Sequence, residues 1–168
     1  MNDLTDKSVD HFKIENKALD ILDQNNINEP VVDVVKIAEG MGIGVKEIPM
    51  PDGYSNVAAF YDKNKKTIYV EVADKASRKL FSIAHELGHV VLGHQTREVL
   101  FRIPVEGAAY SHAEREANSF AANLLMPEFM LKEYLDKYNL AKSDYVKMSE
   151  MFGVPIVAMR GALERLHQ

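Results

Sequence analysis

The stretch AHELGHVVLGH, residues 84–94, decides how the rest of the chain is read. It places His85 and His89 four residues apart, with Glu86 directly after the first histidine. Residues at i and i+4 share one helix face, about 5–6 Å apart at Cβ, so both imidazoles can reach one ion. Glu86 is turned about 100° from His85 around such a helix. That puts it beside an ion rather than on it, where a carboxylate can act as general base on a water. Short H-E-x-x-H matches also arise by chance on amphipathic helices. The five residues alone leave a metal site and an ordinary helix equally open.

Composition narrows the chemistry. The 168 residues include no cysteine, so any metal must be held through His, Asp or Glu. Zinc accepts imidazole nitrogens, and a catalytic zinc site keeps one position for water. A hydrophobic fraction of 46% and a charged fraction of 27% fit a globular chain with its own core. The length suits a single domain, 1–168. The net charge of −5, from 20 basic and 25 acidic residues, argues against a dedicated nucleic-acid binder. The start, MNDLTDKSVDHFK, lacks the apolar segment of a secretory signal, and no later run approaches transmembrane length. The expectation is a cytoplasmic protein with no membrane partner.

A third ligand is needed. The three-histidine pattern H-E-x-x-H-x-x-G-x-x-H would require Gly at 92 and His at 95, but the chain has Leu92 and Gln95. His94 falls about 140° from His89 on a helical projection, where the helix is ending. It reads as a residue stabilising exposed helix-end carbonyls. The stretch SHAEREANSFAANLLMP, residues 111–127, offers more. Glu114, Ala117, Asn118, Ala121 and Leu125 share one face, and the small ones, with Gly88 opposite, would let two helices approach closely. Glu114 could then reach the metal, with Asn118 one turn on as a partner to a ligand. Glu116 lies about 200° away, on the face of Phe120, and is the poorer ligand. By itself Glu114 reads as half of a capping box with Ser111. After H-E-x-x-H on the preceding helix, it reads as the ligand.

Around these helices the pattern is mixed. Ile14, Ala18, Ile21 and Leu22 mark a first helix within residues 9–25. In NEPVVDVVKIAEGMGIGV, residues 28–45, the spacing of Val31, Val34, Val35 and Ala38 predicts a helix with Pro30 in its first turn and Gly40 or Gly42 at its end. Three strands are expected at 43–48, 56–61 and 66–72. In the last, Ile68, Val70 and Val72 alternate with Thr67, Tyr69 and Glu71. The link DKNK between the second and third predicts a hairpin turn. Leu80, Ala84, Leu87 and Val91 form a helical stripe closing near Gly93. Ser111 is the expected N-cap of the next helix, which ends at Met126–Pro127. Two short helices surround Gly153 and Pro155. The fold class is α+β: N-terminal helices and a small antiparallel sheet (1–73), zinc-binding helices (74–127) and C-terminal helices (128–168).

FSIAHELGHVVLGH (81–94) followed by EREANSFAANLLMP (114–127) resembles the ImmA/IrrE family of metallo-endopeptidases. The two motifs together, in order and with an intervening loop, are far more specific than either half. The resemblance covers most of the chain and implies a zincin-like fold, with a small sheet packed against the helices that carry zinc. It implies His85, His89 and Glu114 as zinc ligands and Glu86 as the catalytic base. It also implies a setting. Short members are encoded in prophages and mobile elements beside a helix-turn-helix repressor, which they cleave or inactivate to relieve repression. Longer radiation-response members add a C-terminal sensor-like domain, for which a chain ending at Gln168 leaves no room. A further oxyanion donor is usual in such chemistry. Tyr110 and His112, just before the ligand helix, are candidates, and either also reads as a plain loop residue. The strand at 56–61 is a candidate edge for binding substrate as an added strand, though ordinary core packing explains it equally well.

Two other readings stand beside the protease. The tail SDYVKMSEMFGVPIVAMRGALERL has helix-turn-helix spacing around Gly153. Yet Lys142, Lys147, Arg160 and Arg165 are nearly balanced by Asp144, Glu150 and Glu164. Its second helix opens with Pro155, Ile156, Val157 and Ala158, whose side chains cannot hydrogen-bond base edges. A packed helical pair is the better reading. The other alternative is a zinc-containing anti-repressor that binds its partner without cutting it.

Overall fold

A computed structural model describes residues 9–94 and 111–167. Helix α1 (His11–Gln24) buries Ile14, Ala18 and Leu22, spaced four apart on one face. Asp10 caps it, accepting a hydrogen bond from the Lys13 N–H at 3.0 Å. Helix α2 (Val34–Gly40) is capped in the same way by Asp33, which accepts from the Lys36 N–H at 3.0 Å. This corrects the expected start in the turn of Pro30. The aspartate, not the proline, sets the boundary, and Val31 stays outside the helix with 54% of its surface exposed.

Three strands follow: β1 (Gly44–Ile48), β2 (Ala59–Asp62) and β3 (Thr67–Glu71), in the order β1-β3-β2. β2 and β3 form the expected hairpin, with Ala59 opposite Val70 and Asp62 opposite Thr67. Asp62 organises the turn by accepting from the N–H groups of Asn64 and Lys65 at 3.0 and 3.1 Å. The sheet is nevertheless mixed, which corrects the expectation of a wholly antiparallel one. β1 pairs with β3 in parallel, Gly44 opposite Thr67 and Ile48 opposite Glu71. The link over 49–58 carries the chain past the central position, so β2 runs back along the far edge and β3 returns between them. β3 therefore runs in the direction of β1. The Glu71 carboxylate accepts from the N–H groups of Met50, at 2.9 Å, and Ala73, at 3.1 Å. Those bonds hold its pKa below the ordinary glutamate value, Met50 contributing most. Val72 lies past the strand and is exposed.

Helix α3 (Ala76–Val91) packs beside β2 and β3 and more extensively on α4 (His112–Leu125). α4 in turn lies against α1, so the ligand-bearing helix is sandwiched between two others. Pro127 stands at the N-cap of α5 (Glu128–Lys137). The expected end of α4 at Met126–Pro127 is followed at once by this further helix. α6 (Tyr145–Phe152) ends at Gly153, whose φ of 66° is the left-handed conformation glycine tolerates. α7 (Ile156–Arg165) completes the C-terminal pair. Phe120, Leu87, Ile68, Leu124, Met130, Met148 and Phe152 lie fully buried in a core shared by the sheet and these helices. No helix among the described residues is long and apolar enough to cross a membrane.

Candidate metal centre

The site is built where α3 and α4 touch. Ile83, Ala84, Leu87 and Gly88 are buried on α3, and Ala117, Phe120 and Ala121 on α4. Gly88 sets the separation. A Cβ added there would lie 3.1 Å from the Ala117 carbonyl oxygen and from Phe120 Cδ1. This contact brings His85 and His89, one turn apart on α3, against Glu114 in the first turn of α4. The Ser111 hydroxyl caps α4 by accepting from the Glu114 N–H at 3.2 Å. Capping thus uses the glutamate's backbone and leaves its side chain pointed at the histidines. The serine half of a capping box is seen, and the carboxylate is directed to His85 and His89.

Three side chains converge. His85 Nε2 is 3.0 Å from Glu114 Oε2, His89 Nε2 is 3.4 Å from Glu114 Oε1, and the two Nε2 atoms are 3.2 Å apart. A four-coordinate zinc with bonds of about 2.0–2.1 Å spaces its ligand atoms about 3.3–3.4 Å apart. The separations bracket that value, so the donor set and its spacing fit a small cation. Imidazole binds a cation through an unprotonated nitrogen. Asn118 Oδ1 lies 2.7 Å from His85 Nδ1 and accepts its hydrogen, leaving Nε2 to face the cluster. His89 is 1% exposed, and its Nδ1 lies 2.7 Å from His94 Nδ1.

Glu86 follows His85 on α3 and is 4% exposed. His112 stands at the start of α4, its Nε2 3.0 Å from Glu116 Oε1. Tyr110 lies outside the described residues. The sequence reading missed the place of His94, because extrapolating a straight helix carries it away from His89. The helix does not continue. Gly93, with a φ of 67°, reverses the chain so that the His94 N–H bonds the His89 carbonyl at 3.0 Å and the Gly93 N–H bonds the Val90 carbonyl at 3.2 Å. This is a Schellman ending, which folds the residue after glycine back onto the last turn. The signal was present in the order Gly93–His94.

Comparison with known proteins gives the family and the fold. The Peptidase_M78 family, described as the IrrE N-terminal-like domain, matches residues 38–164. No curated relative matches the sequence significantly. Among solved structures, a Mycobacterium tuberculosis transcriptional regulator superposes with a TM-score of 0.62 over 88% of this chain, at 14% sequence identity. The chain spans 45% of that protein's length. At that identity the likeness speaks for the fold alone: an α+β, zincin-like domain. From the family match over most of its length, this chain belongs to the Peptidase_M78 (IrrE N-terminal-like) family, which is of metallopeptidase type.

Proposed function

We propose that the chain is a zinc-dependent endopeptidase acting in the cytoplasm on a protein substrate, a helix-turn-helix repressor whose cleavage relieves transcriptional repression. The observation that carries the enzymatic part is the convergence of His85 Nε2, His89 Nε2 and the Glu114 carboxylate, with the buried Glu86 following His85 on α3. Zinc is the metal best suited to two imidazoles and one carboxylate with an open fourth position. Bound there, it would supply Lewis acidity, polarising the scissile carbonyl and lowering the pKa of water towards about 7.

The chain's own residues supply the rest. Asn118 holds the His85 ring with its Nε2 turned inward. Glu86 accepts a proton from the attacking water and returns it to the leaving amine, the general acid–base role of a carboxylate placed next to a ligand. Its burial keeps bulk water from competing for that proton. β2 is an edge of the sheet and packs beside α3, so its open side offers an extended peptide a place as a further strand. The repressor as substrate is supported by the paired motifs at 81–94 and 114–127 and their resemblance to short mobile-element anti-repressors.

The test is co-expression with a candidate helix-turn-helix repressor from the same genome. Wild-type protein should yield repressor fragments and derepress a reporter. Glu86→Gln, nearly isosteric but unable to take the proton, should bind zinc and the repressor yet produce no fragments, a loss on the order of 10²–10⁴ in rate. Derepression by Glu86→Gln at the wild-type level, without fragments in either, would make the protein a non-cleaving binder.

A further inference from the structure

Each clustered histidine has an acceptor behind it, and the one behind His89 is another histidine. His89 Nδ1 and His94 Nδ1 are 2.7 Å apart, with the rings edge-on at 62°. Two imidazole nitrogens at that distance share one hydrogen: one donates and the other accepts. For His89 Nε2 to offer a lone pair to a cation, its Nδ1 must carry the proton. His94 Nδ1 is then the acceptor, and His94 keeps its own proton on Nε2. That nitrogen faces Glu116 Oε1 at 3.6 Å, too long for a full hydrogen bond but close enough for the carboxylate to favour N–H there. The same oxygen lies 3.0 Å from His112 Nε2. The backbone fixes His94 independently, through its N–H on the His89 carbonyl at 3.0 Å.

We propose that His94 is a positioning residue for the metal centre. It selects the tautomer and ring angle of His89, and Glu116, anchored by His112, holds His94 in the accepting form. His94 has no place among the ligands. The arrangement repeats on His89 what Asn118 does for His85, with a ring nitrogen in place of an amide oxygen. The proposal rests on the zinc reading above and concerns metal affinity rather than the peptide-cleaving step.

The experiment measures zinc affinity of metal-stripped protein by competition with a chromophoric chelator. The absorption spectrum of the cobalt-substituted form and the melting temperature of the metal-free form accompany it. His94→Phe keeps a ring in place and removes both nitrogens. It should bind zinc about 10–100-fold more weakly, the cost of losing a partner to a ligand, with an altered cobalt spectrum and a metal-free melting temperature near the parent's. His94→Asn offers a carbonyl oxygen close to the position of Nδ1 and should recover most of the affinity. His94→Leu serves as a second variant without an acceptor should the phenylalanine protein not fold. Parental zinc affinity in His94→Phe or His94→Leu would overturn the proposal. So would His94→Asn binding as weakly as they do, which would assign the effect to lost packing. Absence of zinc binding by the parent is a different result, one that removes the metal centre itself.

Discussion

Gly88 and Ala117 meet where α3 packs on α4, and a Cβ on the glycine would lie 3.1 Å from the Ala117 carbonyl oxygen and 3.2 Å from its Cα. Backbone atoms at the middle of a helix cannot step aside as a flexible side chain can. The spacing that crowds any side chain at Gly88 accompanies the approach of Glu114 to His85 at 3.0 Å. Gly88→Val should therefore do two things. It should lower stability by about 1–3 kcal/mol through overpacking, more than the helix propensity gained over glycine. It should also weaken metal binding by moving the carboxylate off the histidines. Melting temperature and zinc affinity report the two effects, and an unchanged value of both would mean that the helices are not held this closely.

Glu71 gives a pH-dependent prediction away from the centre. Its carboxylate ties the start of the 49–58 link to the end of β3 through the N–H groups of Met50 and Ala73, and these bonds depress its pKa below 4.5. A group whose folded pKa is depressed contributes stability that is fully present above the unfolded value and is lost as pH falls through the folded one. The stability gap between wild type and Glu71→Gln should thus be widest near neutral pH and should close as the pH falls below 4.5. Melting curves across that range check it. A gap that does not change with pH would remove the ionised carboxylate from the explanation.

The C-terminal pair α6–α7 tests the rival role in DNA binding. α7 opens with Ile156 and Val157, the latter 84% exposed, and neither side chain can hydrogen-bond a base edge. With a net charge of −5, this chain should not shift operator DNA in a gel at physiological salt. Specific nanomolar binding would overturn that reading.

The site was more legible in the sequence than the sheet, for physical reasons. His85, Glu86 and His89 lie within one helical turn and a half, where the 3.6-residue period fixes relative direction. The face shared by Glu114, Ala117, Asn118 and Ala121 follows from the same period, and the structure brings Glu114 and Asn118 to His85. The parallel pairing of β1 with β3 was not legible. It depends on the path of the 49–58 link, and alternation along a strand says which face is buried but nothing about the neighbour. The start of α2 differs from the expected one because both Pro30 and Asp33 are good helix openers, and the cap forms at Asp33. His94 was misread because a helical projection holds only while the helix does. Tyr110, a candidate oxyanion donor, falls outside the described residues.

The measurement closest to the central claim is the metal content of the purified protein and of three single variants. Two histidines and one carboxylate converge within ligand spacing, and nothing else among the described residues offers such a set. The wild-type chain should carry about one zinc, as an open three-ligand site does. His85→Ala, His89→Ala and Glu114→Ala should each lose stoichiometric zinc while remaining folded by circular dichroism. Full zinc occupancy in any of the three, or none in the wild-type protein after metal-replete purification, would contradict the account.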